Sequence, residues 1–135
     1  MPKQIHIRFL FVLLLAVPLL FSSCIRKKLK ENKLVGTWAV IKHSSAATET
    51  EQWVFSGDGL LTVNLIHDST ATTREINAGD WTVMQKVSKA YLNVVFELER
   101  SGHYGFYEIS KIKKDALVLS VQDGGQYLME FEKVE

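Results

Sequence analysis

From Lys33 onward the sequence is a succession of short runs in which apolar and polar residues alternate, each ended by a turn signal, with no stretch of helical apolar spacing between them. A period of two sends successive side chains to opposite faces of a strand, so each run has one face to bury and one to wet. Leu34 to Ile41 is rich in β-formers. Glu51 to Phe55 and Leu60 to Ile66 flank Ser56-Gly57-Asp58-Gly59 and read as a hairpin, with Leu61, Val63 and Leu65 on one face. Thr70 to Ile76 reads as an exposed polar strand, and Asn77-Ala78-Gly79-Asp80 as a turn into Trp81 to Met84. Tyr91 to Leu98 sets Leu92, Val94, Phe96 and Leu98 against Asn93, Glu97 and Glu99. Tyr104 to Ile112, Ala116 to Val121 and Gln126 to Val134 complete the series, the last two joined by Asp123-Gly124-Gly125.

Eight or nine short strands joined in sequence by tight turns predict a meander, and closing a meander removes its edges. The expected fold is all-β: an up-and-down antiparallel barrel of about eight strands over residues 34–135, with a two-sheet sandwich as the alternative. An interior of that size either fills with side chains or holds one small ligand. The length after residue 33 suits a single domain that buries its own core.

The N-terminus is of another kind. Lys3, His6 and Arg8 form a basic start, and Phe9 to Phe21 is an apolar run broken by Pro18. Leu20-Phe21-Ser22-Ser23-Cys24 resembles the lipobox of bacterial lipoproteins, in which the cysteine is acylated and becomes the first mature residue. The resemblance implies a cleaved lipoprotein signal peptide over 1–23, a palmitate-type acyl anchor on Cys24 and a basic tether over 24–33. A transmembrane span would need about 20 apolar residues. A plain secretory signal is the closer alternative, since Phe21 is unusual three residues before the cysteine and Ser-Ser resembles an ordinary cleavage site. Cys24 is the only cysteine, so it has no disulfide partner within the chain. Acylation would retain the protein at a membrane, each buried CH₂ contributing about 0.8 kcal/mol.

The whole chain has 16 basic and 15 acidic residues. Loss of Lys3 and Arg8 with the signal leaves the domain near neutral, which argues against a nucleic-acid partner. The basic residues concentrate in Arg26-Lys27-Lys28-Leu29-Lys30-Glu31-Asn32-Lys33. This segment is either a solvated tether or a strip lying against anionic headgroups, at about 1 kcal/mol per cation. Surface-exported lipoproteins of Bacteroidetes type resemble one another in acidic residues after the cysteine, and enterobacterial inner-membrane retention is associated with Asp there. Ile25-Arg26 fits neither pattern. The comparison implies an outer-membrane anchor facing the periplasm.

Gly36-Thr37-Trp38 on the first strand resembles the opening of the lipocalin and calycin superfamily. With Phe55 and Asp58-Gly59, Gly79 with Trp81, and the final strand Tyr127 to Phe131, nearly all of the mature chain resembles the small lipocalin-like lipoproteins of Bacteroidetes. The resemblance implies a barrel, a cavity for a small hydrophobic ligand and no enzymatic activity. It also implies that Gly36 and Trp38 form the structural base. Lipocalins pack a late basic residue over the first-strand tryptophan, a role open here to Lys133.

Catalytic chemistry is not evident in the sequence. His43, His67 and His103 fall in turns or at strand ends, where histidines are ordinarily solvated, and none has metal-ligand spacing. Neither a catalytic set, a metal site nor a cofactor is expected. The aromatics Trp53, Phe55, Trp81, Phe96, Tyr107, Tyr127 and Phe131 fall on inward faces, as plain core or as the lining of a ligand cavity. The leading expectation is therefore a lipid-anchored envelope protein that binds a small hydrophobic ligand without catalysis. The alternative is an interaction module whose filled barrel presents loops to a protein partner.

Overall fold

A computed structural model describes residues 24–44, 46–100, 102–121 and 127–134. The expected signal peptide, 1–23, and the turn at Asp123-Gly124-Gly125 lie outside the described residues. A helix, α1, covers residues 24–34. Eight strands follow: β1 Gly36–Val40, β2 Glu49–Phe55, β3 Leu60–His67, β4 Thr73–Gln85, β5 Ala90–Phe96, β6 Phe106–Ile112, β7 Ala116–Val121 and β8 Tyr127–Lys133. Each pairs antiparallel with the next, and β8 pairs with β1 through Trp38↔Lys133, Ala39↔Glu132 and Val40↔Phe131, so the sheet is a closed up-and-down barrel. The sandwich alternative is excluded.

Up-and-down topology sorts the connections. α1 and the turns at 56–59, 86–89 and 113–115 lie at one end, the base. The connections at 41–48, 68–72 and 97–105 lie at the other, the mouth. Among the described residues the core is drawn from 34–131, and every strand finds its partners within the barrel.

One expectation changes, and one segment gains a defined shape. The segment after Cys24, read as a basic tether, is helical: its i,i+4 pair Lys27–Glu31 is 3.6 Å apart, and the last residue of the helix, Leu34, is fully buried at the base. Asn77-Ala78-Gly79-Asp80 is no turn but the middle of the long strand β4. The register steps from Val63↔Asn77 to Asn64↔Glu75, leaving Ile76 as an extra, bulged residue. A Cβ at Gly79 would stand 2.3 Å from the Val95 carbonyl oxygen, so glycine lets β4 and β5 approach closely here rather than turning the chain.

Candidate functional site

Strand alternation sends Trp38, Trp53, Phe55, Leu61, Val63, Leu92, Tyr107, Leu117, Leu119 and Phe131 inward, and each is at most 1% exposed. Trp53 is the hub of this interior. Its ring lies edge-on to Phe96 at 5.9 Å, Tyr107 at 5.6 Å and Phe131 at 5.4 Å, and tilted against Phe55 at 6.1 Å. Edge-to-face pairing of this kind adds about 0.5–1.5 kcal/mol per pair to area burial. Burial raises the Tyr107 pKa, and its hydroxyl oxygen accepts the Tyr104 N–H at 2.7 Å. The structure therefore brings together Trp53, Phe55, Tyr107 and Phe131, with Phe96 half-buried beside them, as a plug through the barrel's axis.

Of the remaining two candidates, Trp81 continues the plug toward the base and Tyr127 stands outside it. Trp81 touches Phe55 at 5.5 Å but sits toward the base, its Nε1–H donating to the carbonyls of Leu60 (3.0 Å) and Ser56 (3.2 Å). Tyr127 is in phase with Met129 and Phe131, yet it is 53% exposed. It is the first residue of β8 and stands at the rim, its ring 6.5 Å from that of Tyr104. Inward phase places a side chain in the core only where neighbouring strands enclose it, which is why Tyr127 does not line the interior.

The base is closed around Trp38. Trp38 is fully buried and donates its indole N–H to the Leu34 carbonyl at 2.7 Å. The Lys133 ammonium lies 5.0 Å from the centre of the Trp38 ring and donates to the Val35 carbonyl at 2.9 Å. Gly36, with φ of 126°, adopts at the start of β1 a backbone conformation that side chains disfavour.

The mouth holds a polar cluster that the aromatic pattern does not announce. His103 is not solvated as its turn position suggests; its side chain is 5% exposed, stacked on Phe96 at 5.3 Å and edge-on to Trp53 at 6.0 Å. Asn77, 1% exposed, orients it. The Asn77 Oδ1 accepts the N–H groups of Ala78 (3.0 Å) and Leu98 (3.2 Å), so Nδ2 faces the Leu98 carbonyl (2.9 Å) and His103 Nδ1 (3.0 Å). That amide orientation makes Nδ1 an acceptor and leaves the imidazole proton on Nε2, aimed at Glu51 Oε1, 3.2 Å away. The same carboxylate oxygen accepts the Trp53 indole N–H at 2.6 Å. Burial works to raise the Glu51 pKa, but the hydrogen bonds from His103 and Trp53 outweigh it and hold the carboxyl below its ordinary value. Arg100 completes the cluster by donating to the carbonyl of Ile76 at the bulge, at 2.9 Å.

Beside this cluster the mouth opens into a shallow cup of about 410 Å³, lined by Val40, Lys42, Thr48, Glu49, Glu51 and Leu65. Lys42 is held at its edge by Asp68, 2.6 Å away, whose other oxygen accepts from Thr50 at 2.8 Å. These hydrogen bonds, led by the one from Lys42, lower the Asp68 pKa. Part of this site is visible in the alternation, since Glu51 shares the inward phase of Trp53 and Phe55. Asn77 shares the phase of Trp81 and Val83 once β4 is seen to be continuous. His103 carries no comparable signal. Among the described residues no group of three or more His, Cys, Asp or Glu is arranged to hold a metal ion.

Compared with protein-family models, with curated proteins and with solved structures, the chain matches none.

Proposed function

We propose that this chain is a non-catalytic, lipocalin-like binding module of the bacterial cell envelope, anchored by an acyl chain on Cys24 at the periplasmic side of the outer membrane. Its small, largely hydrophobic ligand is taken at the barrel mouth and not in the barrel core. One observation carries the location: the interior is filled by the Trp53 plug, while the cup beside it is open and pairs apolar Val40 and Leu65 with polar Lys42 and Glu51. Such a cup is within the size range of small-molecule sites, and mixed lining suits a ligand with an apolar body and a polar head. The lipocalin-like reading is supported by Lys133 over Trp38 at the base. The anchor reading is supported by the position of Cys24, exposed at the start of α1 and at the end opposite the mouth, so that tethering leaves the cup unobstructed.

Native mass spectrometry of residues 24–135, incubated with an envelope lipid extract, tests the binding. The expected result is a reproducible added mass that disappears on denaturation and in Leu65→Trp, which fills the cup. Uptake unchanged in a folded Leu65→Trp protein would overturn the mouth location, and a clean ligand-free mass throughout would overturn ligand binding. A second reading, recognition of a protein partner, is favoured by exposed apolar side chains around the mouth end, among them Leu98, Tyr104, Tyr127 and Leu128. It predicts the ligand-free mass.

A further inference from the structure

We propose that the base of the barrel is a docking face for an anionic phospholipid surface, with α1 lying along the interface and the β4–β5 and β6–β7 turns set against the headgroups. The sequence shows one basic run, but the fold assembles a larger field. Arg26, Lys27, Lys28, Lys30 and Lys33 lie on α1, at the base. Up-and-down topology brings two further segments to the same end: Lys86 and Lys89 from the turn after β4, and Lys111, Lys113 and Lys114 from the end of β6 and the turn after it. Apart from half-buried Lys30, these side chains are exposed. Carboxylates share this end. Glu31 pairs with Lys27, and Glu108 accepts from Lys89 at 2.9 Å. Asp58, Asp80, Asp115 and Glu132 are also nearby, but cations remain in excess.

The mouth has the opposite balance. Its basic residues are Lys42, Arg74 and Arg100, of which Lys42 is held by Asp68 and Arg100 by the Ile76 carbonyl. Glu49, Glu51, Asp68, Glu75, Glu97 and Glu99 lie at that end. A domain that is nearly neutral as a whole is thus strongly polarised along the barrel axis, and an anionic plane would orient it base-down.

Apolar residues among the cations identify the plane as lipid. Ile25 and Leu29, one helical turn apart on α1, are 60% and 55% exposed, and Val87 at the tip of its turn is 95% exposed. Leu29 and Val87 line one groove of about 470 Å³ with Arg26, Lys30, Lys33 and Lys111. Apolar side chains flanked by Lys and Arg suit the boundary between headgroup and acyl chain, whereas a nucleic-acid backbone offers them nothing to enter. Among the described residues no helix is long and apolar enough to cross a membrane, in keeping with α1 lying on the surface.

The inference extends the envelope reading but does not require the acyl chain, and its test omits that chain. Residues 24–135, which carry α1 and the whole barrel, are purified with Cys24→Ser. They are sedimented with vesicles of phosphatidylcholine alone or mixed with phosphatidylglycerol at about three parts to one, where each cation near the surface is worth about fivefold in affinity. Binding is expected only to the anionic vesicles and is expected to weaken as salt is raised. Lys113→Gln with Lys114→Gln should lose about 25-fold by the same increment, and Val87→Asp should also weaken binding. The mouth change Arg74→Gln should leave affinity unchanged, where loss of a single base cation such as Lys113 should cost about fivefold. Equal binding to both vesicles, equal loss from mouth and base variants, or retention on a polyanion such as heparin without vesicle binding would each overturn the proposal. The mass of Cys24 in protein taken from the envelope separately tests the anchor: an unmodified cysteine overturns the acyl reading and leaves the vesicle result standing.

Discussion

At the base of the barrel, Leu34, Trp38 and Lys133 meet through the indole hydrogen bond to Leu34, the Lys133 ammonium over the Trp38 ring and on the Val35 carbonyl, and apolar packing. At the mouth, buried Asn77 and His103 and half-buried Glu51 are joined by a chain of directional hydrogen bonds set on top of Trp53. The base therefore stays closed by packing, which tolerates small displacements. The mouth stays in place by polar partners, and loss of one strands the others, because an unpaired buried polar group costs more than a made hydrogen bond contributes. The filled base suits a structural stop; the polar mouth suits a surface whose shape must be held while loops vary.

The largest effects should come from the two tryptophans. Trp38→Ala and Trp53→Ala each remove a fully buried ring and are expected to cost about 3–5 kcal/mol in denaturant unfolding. They should differ in where the damage appears. Hydrogen exchange in Trp53→Ala should rise at 97–105, because Trp53 supports both His103 and Phe96. In Trp38→Ala it should rise in α1 and at the β1–β8 seam. Exchange that rises uniformly in both variants would break the comparison of the two ends.

Asn77→Ala should cost about 1–3 kcal/mol, since it strands the Leu98 N–H, the Leu98 carbonyl and His103 Nδ1 together. The mouth should also respond to acid through Glu51. The folded-state pKa of Glu51 lies below its unfolded value, so its contribution to stability is present above the ordinary glutamate pKa and is lost as pH falls through the lower folded value. Glu51→Gln should flatten that acid limb of the stability curve, while Lys133→Met should leave its shape intact. An unchanged acid limb in Glu51→Gln would remove Glu51 as its source. Lys133→Met itself keeps the aliphatic stem and loses the cation over Trp38 and the bond to Val35, for an expected cost of about 1 kcal/mol by thermal unfolding.

Most of the barrel is legible in the sequence because a period of two and the turn residues between runs are local signals. The hairpin through Ser56-Gly57-Asp58-Gly59 and the inward set Leu61, Val63 and Leu65 lie where alternation puts them. The exceptions share a cause. Asn77-Ala78-Gly79-Asp80 has turn composition, but Asn77 is a buried linker to the 97–105 connection and Gly79 is a point of close approach to β5, both settled by residues about twenty positions away. His103 is buried against Trp53 and Phe96, and Glu51, far away in sequence, accepts the hydrogen bond from its Nε2–H; no local feature could reveal that. Cys24 to Lys33 reads as a solvated run until the base of the barrel gives Leu34 something to bury against.

Tyr127 is the smallest test and the most direct one of the difference between phase and enclosure. By alternation it belongs with Met129 and Phe131, and a cavity lined by all three would lose its ligand with any of them. By position it is a rim residue, 53% exposed, touching Tyr104 and little of the core. Tyr127→Ala is therefore expected to change stability by about 0.5 kcal/mol or less, in the range of surface substitutions. Phe131→Ala, four residues further along β8 on the same face and 1% exposed, should cost about 3–5 kcal/mol. Both are read from the same denaturant titration. A Tyr127→Ala loss approaching that of Phe131→Ala would mean that the mouth closes over β8 in solution and that the plug extends to the rim. Near-neutrality would confine the packed interior to the barrel below Tyr127 and leave the rim free for recognition.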